Sequence, residues 1–283
     1  MENTAPDIID QTLERSQLTY NSYLKVDELL KLQDLVSSPP HHDEMLFIII
    51  HQSYELWFKL ILHEMESAIA AMGNRRLLKA FRYMDRVVKI MQLLVKQIHI
   101  LETMAPAEFL QFRDSLRPAS GFQSIQFREV EFVAGLRDAQ YLQVFKNWPD
   151  YVQRLKSRLE GPTLASAYQR LLQAEGYEVP SSLFDPDHEM DETEREVLMG
   201  SLRRLYQEPD ANLRLYLLSE SLVEFDETLI LWRHHHRLAV ERTIGAKHGT
   251  GGSEGAKYLE STTTKRCFPW LWAIRTCLTK VGP

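Results

Sequence analysis

The stretch that most constrains this chain is DEMLFIIIHQSYELWFKLILHEMESAIAAM, residues 43–72. Its middle is apolar on nearly every side, so a helix formed there belongs in the centre of a fold, not at its periphery. Asp43 stands where it can cap the start, and Gly73-Asn74 end the pattern. From Arg76 to Met104 the residues Met84, Val87, Val88, Met91, Leu94, Val95, Ile98 and Leu101 recur at steps of three and four, which makes a second long helix with one buried stripe. The short connection between the two dictates an antiparallel pair.

The rest of the chain follows the same period. After a polar leader over residues 1–18, Tyr20 to Val36 reads as a helix with Thr19 as its cap and Tyr23, Val26 and Leu30 near one face. Ser37-Ser38-Pro39-Pro40 then breaks the chain and leaves His41 and His42 in a connector. Further helices are expected over Ala107–Leu116, within FQSIQFREVEFVAGL after the turn at Pro118-Ala119-Ser120-Gly121, and over Asp138–Phe145, Trp148–Arg158 and Leu164–Glu175. Gly176 to Asp191 reads as loop, and helix resumes over Glu192–Glu208 and Ala211–Thr243. No strand-like alternation, internal repeat or composition shift appears, so the expectation is an all-α, bundle-like single domain over residues 19–283.

With 283 residues, 44% of them hydrophobic, the chain can bury a large core. A net charge of -6 leaves no electrostatic footprint for nucleic acid or an anionic membrane. Cys267 and Cys277 are too few for a disulfide framework and lack metal-ligand spacing, which points to a reducing compartment. The first residues have neither a basic nor an apolar leader region, so the protein is expected to be soluble and cytoplasmic.

Several residues stand out against this background. Leu218, Leu222, Phe225, Leu229, Trp232, His236, Val240 and Thr243 share one helical face, so of the triplet His234, His235 and His236 only the last falls on the stripe. Two readings are open for it: a hydrogen-bonded core histidine, or a ligand to a metal or haem iron. His51 lies among Phe47, Tyr54 and Phe58, with Glu55 one turn beyond; an imidazole in such a wall is either satisfied within the core or suits a small heteroaromatic ligand. A di-iron site built on His51, Glu55, His63 and Glu66 is disfavoured because no Glu-x-x-His occurs in the chain. Arg113, between aromatics and a proline-glycine turn, either pairs with Asp114 or Glu108 or clamps a ligand carboxylate. The glycine loop GAKHGTGGSEG misses both phosphate-binding patterns and follows a helix, so it reads as a lid in which Thr250 meets an ionic ligand.

Taken together, HHDEMLFIIIHQSYELWFK (41–59), FRDSLRPASGFQSIQFR (112–128) and LWRHHHR (231–237) with GTGGSEG (249–255) resemble the tryptophan 2,3-dioxygenase family, in the family's order, from Leu18 to Leu259. The resemblance implies a homotetramer carrying haem b, ferrous in its active form, that inserts O2 across the indole C2-C3 bond of L-tryptophan to give N-formyl-L-kynurenine, the first step of the kynurenine pathway. It implies His236 as the proximal iron ligand and His51 as the catalytic distal residue that meets the indole N–H. Arg113 and Thr250 would hold the charged end of the amino acid, Phe47 and Phe109 would wall the indole, and Ser120 would supply a polar contact. Tyr20, Tyr23 and Leu24, on a helix spanning residues 19–36, would complete the pocket of a neighbouring subunit. The chain departs from the family in the histidines at 234 and 235, and in Phe109 where some members have tyrosine. Beyond Leu259 the resemblance weakens.

Overall fold

The computed structural model describes residues 18–184, 188, 190–250 and 255–279, so nearly all of the polar leader lies outside the described residues. Among the described residues there is no strand. The helices are α1 (Tyr20–Leu24), α2 (Val26–Leu29), α3 (His42–Gly73), α4 (Leu77–Leu101), α5 (Pro106–Arg113), α6 (Ile125–Ala134), α7 (Tyr141–Val144), α8 (Pro149–Glu160), α9 (Leu164–Ala174), α10 (Glu192–Gln207), α11 (Leu213–Ile244), α12 (Ala256–Thr262) and α13 (Pro269–Cys277). Short 3-10 turns lie at Asp114–Leu116, Gly121–Gln123, Ser181–Phe184 and Pro209–Asn212. The all-α expectation holds.

Three long helices form the frame. α3 and α4 run antiparallel, as the short connection demands: Tyr54 Oη donates to the Leu94 carbonyl at 2.6 Å, while further along both helices Arg86 meets Glu64 at 2.6 Å. α11 lies parallel to α4, with Gln92 bonded to Glu224 at 3.2 Å and the His99 ring 5.1 Å from that of His235. Met65, Met84, Met91, Leu94, Leu218 and Phe225 meet between them with no measurable exposure or almost none, and each such side chain contributes about 1.5–3 kcal/mol on burial. α6 and α9 pack on α3, and α12 packs on α11.

α3 is central only in part. Its second half, from Phe58 to Met72, buries Ile61, Met65 and Ala68 completely. In the first half Met45, Ile49 and Leu56 are 38%, 48% and 54% exposed, because no element among the described residues covers that face. By length and composition it is the one helix among the described residues apolar enough to cross a membrane, yet it packs against α4, α6 and α9.

Local chemistry moves several helix ends. The segment expected as one helix from Tyr20 to Val36 is two short helices, divided at Lys25 with φ 55 and ending at Leu29. Tyr20, Tyr23 and Leu30 are 75%, 69% and 70% exposed, and a helix this short is marginal without a packed face. Thr19 does cap it, in a reciprocal pair with Ser22. At α3 the cap is His41, whose Nδ1 accepts from the Asp43 N–H at 3.4 Å, while Asp43 turns its carboxylate to His42. Glu44 reaches back instead, accepting from the N–H groups of Val36 at 2.8 Å and Ser37 at 3.1 Å, and so pins the serine-proline connector. Between 138 and 145 only Tyr141–Val144 is helical, since Asp138 accepts from the Gln140 N–H and favours a turn.

A buried carboxylate ties α6 to α11. Glu131 accepts from Arg128 at 2.6 Å on one oxygen and from Arg233 at 2.6 Å on the other, and all three residues are at most 5% exposed. Arg233 also donates to the Lys265 carbonyl at 3.1 Å, which brings in the connection to α13. Replacing Glu131 by Ala leaves two guanidiniums in a dry site without their shared anion, and about 3–5 kcal/mol of stability should be lost. Urea unfolding of the variant measures this; a loss under about 1 kcal/mol would mean that water reaches the pair.

Candidate active site

Where α3, α5, α6, α11 and α12 converge they enclose a cavity of ≈ 290 Å³. α3 contributes Phe47, His51, Tyr54, Glu55 and Phe58; α5 contributes Phe109 and Arg113; α6 contributes Phe127, Arg128 and Glu131; α11 contributes Trp232 and His236; α12 contributes Tyr258. Ser120, Gly121, Phe122 and Ser124 close it between α5 and α6, and Gly249 and Thr250 close it from the loop after α11. The wall is mostly aromatic, with a few polar groups turned inward, the usual character of a small-molecule site.

The histidine triplet separates by helical phase. His234 is exposed, the His235 ring stands edge-on to His99, and His236 alone lines the cavity. The His236 ring stacks on Trp232 at 5.0 Å, and Trp232 is braced by Phe127 at 4.8 Å and by Tyr54 and Phe58 edge-on. Burial, helped by the positive charge of Arg128 and by that of His51 whenever it is protonated, lowers the His236 pKa to about 4, so its imidazole is neutral at physiological pH. Neither ring nitrogen has a hydrogen-bond partner among the described residues. The satisfied core histidine is therefore not what is observed: a neutral, unpartnered nitrogen base meets the cavity.

His51 is held differently. Its Nδ1 lies 2.7 Å from the Phe47 carbonyl, which can only accept, so Nδ1 carries the proton and Nε2 keeps a free lone pair. Burial lowers its pKa, against the opposing pull of the Phe47 carbonyl and the Glu55 charge. The Phe47 ring packs 4.1 Å from it and stacks on Phe109 at 5.7 Å. The pocket thus holds two neutral histidines from separate helices, one acceptor from each.

Arg113 is only 7% exposed, and neither suspected acid pairs with it: Asp114 meets Arg117 at 3.2 Å and Glu108 meets His41 at 3.1 Å. Its guanidinium donates to the main-chain carbonyl of His248, at the start of the glycine loop. Thr250 Oγ1 donates to the Ala119 carbonyl, so the loop is fastened to the far rim by the two groups expected to meet an ionic ligand. Gly251 and Gly252, part of the proposed lid, lie outside the described residues. Gly255 closes the loop at φ 61, where a Cβ would come within 2.8 Å of the Lys247 carbonyl, so only glycine fits there. Ser120 Oγ accepts from the Phe122 N–H at 3.3 Å and caps the turn that brings Phe122 to the rim. Tyr20, Tyr23 and Leu24 do not line this chain's own cavity and are 75%, 69% and 44% exposed.

Other lining residues escaped sequence reading. The Arg128 guanidinium lies over the rings of Tyr141 at 4.2 Å, Phe127 at 5.2 Å and Phe122 at 5.4 Å, and its Nε has no hydrogen-bond partner. The hydroxyls of Tyr141 and Tyr258 bond to each other. Only the arginine left a trace, the aromatic spacing of FQSIQFR; Tyr258 is 117 residues from its partner and no local pattern links them. The groups of the di-iron alternative do not converge, since Glu66 pairs with Arg158 at 2.6 Å and Glu55 bonds Ser124 at 2.6 Å. Among the described residues no three His, Cys, Asp or Glu side chains gather as a metal site.

The chain is similar to known proteins over most of its length. A family profile described as Tryptophan 2,3-dioxygenase matches residues 7–194 and 175–278. The chain is 41% identical over 278 residues to the tryptophan 2,3-dioxygenase of Myxococcus xanthus, covering 98% of this chain and 95% of that protein. It is 44% identical over 266 residues to that of Nocardioides sp., covering 92% and 95%. With the Exiguobacterium sibiricum enzyme of the same name it shares 38% identity over 281 residues, 98% of this chain and all of the other.

Because His236 and His51 both have folded pKa values below the free-imidazole value near 6.5, the unfolded chain binds more protons in mildly acid solution. Their contribution to stability is fully present above about pH 6.5 and declines as pH falls toward 4. Unfolding free energies of the ligand-free protein at pH 7 and pH 5 should show that decline, and His236→Asn should flatten it. An equal decline in the variant would show that His236 is hydrated.

Proposed function

Since the chain belongs to the tryptophan 2,3-dioxygenase family, we propose that this cavity is where it inserts both atoms of O2 across the indole C2-C3 bond of L-tryptophan. The product is N-formyl-L-kynurenine, and the reaction opens tryptophan breakdown by the kynurenine pathway. The observation that carries the assignment to this cavity is the pair of neutral histidines in one aromatic pocket, with a buried arginine that meets no carboxylate among the described residues.

The family implies haem b, and the residues present fit it. His236 offers a neutral nitrogen with no competing hydrogen bond, and no cluster of acids or further histidines among the described residues would bind a bare ion instead. The flanking walls are apolar and aromatic, while Arg128 has an unpaired Nε suited to an anionic side group. His236 would hold the iron. When bound, the haem supplies the oxygen chemistry, for which no side chain here is equipped.

The side chains then have separable tasks. Arg113 exchanges the His248 carbonyl for the substrate carboxylate, a bidentate ion pair in place of a bond to an uncharged acceptor. Thr250 and the backbone beside it meet the same charged end, so binding is coupled to the position of the loop. Phe47 and Phe109, stacked on each other, wall the indole and exclude water; Phe109 has no hydroxyl, so on that side the contact is wholly apolar. His51 Nε2 accepts the indole N–H, which fixes the ring's rotation. Every atom of tryptophan and O2 is kept in the product, so no net proton or external reductant has to be supplied. Ser120 lends a polar contact at the rim. The exposed apolar side chains of Tyr20, Tyr23 and Leu24 support a role in a neighbouring subunit's pocket within a cytoplasmic homotetramer.

Formation of N-formylkynurenine from L-tryptophan under O2, absent without O2, tests the activity directly. Arg113→Ala should raise KM by the equivalent of about 2–5 kcal/mol, as when one partner of a buried charge pair is removed; an unchanged KM would sink the clamp. His236→Ala should abolish haem retention or the native Soret band and His235→Ala should not, whereas the reverse pattern would move the iron ligand to the neighbouring residue.

A further inference from the structure

The tasks above leave Glu55, an ionisable group in the cavity wall, unused. Glu55 lies one helical turn after His51 on α3 and lines the same pocket. Ser124 Oγ donates to its Oε1 at 2.6 Å, and Gln126 Nε2 donates to Oε2 at 2.8 Å and to the Glu55 main-chain carbonyl at 2.9 Å. Ser124 is itself the cap of α6, accepting from the Phe127 N–H at 3.3 Å, so the carboxylate is held at the start of that helix, where negative charge is favoured. Both donors are neutral, and Glu55 takes part in no ion pair among the described residues, whereas the nearby Arg128 is committed to Glu131. A fixed negative charge with no ion-pair partner among the described residues therefore stands four residues from His51, a spacing that sets Cβ atoms roughly 5–6 Å apart on a helix.

We propose that Glu55 is a positioning residue for the indole N–H: its carboxylate, locked by Ser124 and Gln126, acts through His51 to strengthen Nε2 as a hydrogen-bond acceptor. It thereby sets how strongly the pocket prefers an indole with a free N–H over one substituted at nitrogen. The inference rests on the reading of His51 as the acceptor of that N–H. The physical cause is that a negative charge raises the electron density offered by a neighbouring imidazole, and the low dielectric of an aromatic pocket lets that field act at short range. The pull of Glu55 toward a protonated His51 is the same field seen in another property.

A purely mechanical role is the rival, since the same three bonds fasten α3 to α6. The two roles part in a binding experiment with the haem-loaded enzyme. Dissociation constants are measured for L-tryptophan and for tryptophan methylated at the indole nitrogen, in the wild type, Glu55→Gln, His51→Ala and the double variant. Glu55→Gln should lower the preference for the free N–H on the order of tenfold, within the range of couplings between residues of one network, and should have no effect on that preference once His51 is alanine. Ser124→Ala, which keeps the charge and frees it to move, should lower the preference less, and serves if Glu55→Gln folds poorly. Equal weakening of both ligands by Glu55→Gln, or effects that add in the double variant, would reduce Glu55 to a strut and overturn the proposal while leaving the role of His51 intact. If His51→Ala itself leaves the preference unchanged, His51 is not the acceptor and both readings fall.

Discussion

The cavity exists because α6 and α11 are held at a fixed separation by one carboxylate. Glu131 is shared between Arg128 and Arg233, with both guanidiniums in a region closed to water. Two cations around one anion leave a net positive charge, and a dry ionic triad of this kind is costly to form and more costly to break. Its geometric effect is what matters here: Arg233 stands one turn before His236 on α11, and Arg128 one turn after Ser124 on α6, so the triad sets the spacing of the two walls. Two turns before Arg233 on the same face of α11, Asp226 accepts from the N–H groups of Cys267 at 2.9 Å and Phe268 at 3.1 Å and from Trp272 Nε1 at 3.0 Å. The C-terminal helix is thus part of the support for the histidine helix, although it lines none of the pocket.

Within that frame the polar groups of the site are kept short of partners in a graded way. His236 has none, His51 has one nitrogen satisfied and one free, and Arg113 and Thr250 rest on main-chain carbonyls of the loop and rim. Each can be given a better partner by a ligand without leaving an acid unpaired elsewhere. A free amino acid with an indole side chain presents a carboxylate, an N–H and a flat apolar ring, and these match an arginine, an imidazole nitrogen and a phenylalanine wall. Affinity in such a pocket comes from replacing weak internal contacts by stronger ones, since the desolvation cost of the buried groups is already met by the fold.

Much of this was legible before any coordinates. Periodicity found α3, α4 and α11 to within a few residues, because their apolar positions repeat over many turns and packing agrees with propensity. It also separated His236 from His234 and His235, since a shift of one residue turns a side chain by about 100° on a helix. Reading failed where the deciding partner is distant or absent: the helix expected from Tyr20 to Val36 breaks at Lys25, and the first half of α3 is left partly uncovered. Local competition also escaped it, as when Asp138 draws the chain into a turn and His41 takes the cap expected of Asp43.

The sequence by itself therefore determined the helical class, the stripe that turns His236 inward, and, through three long motifs, the family. Those properties are carried by spacing along one element, which is fixed by the geometry of a helix. Only the tertiary structure decided that Arg113 meets the His248 carbonyl and neither Asp114 nor Glu108, that Glu55 is locked to the start of α6, and that Tyr258 reaches Tyr141. Each of these joins residues from separate elements, 69 and 117 positions apart in the last two cases. The state of a charged or hydrogen-bonding group is set by what surrounds it in space, and that is known only once the elements have packed.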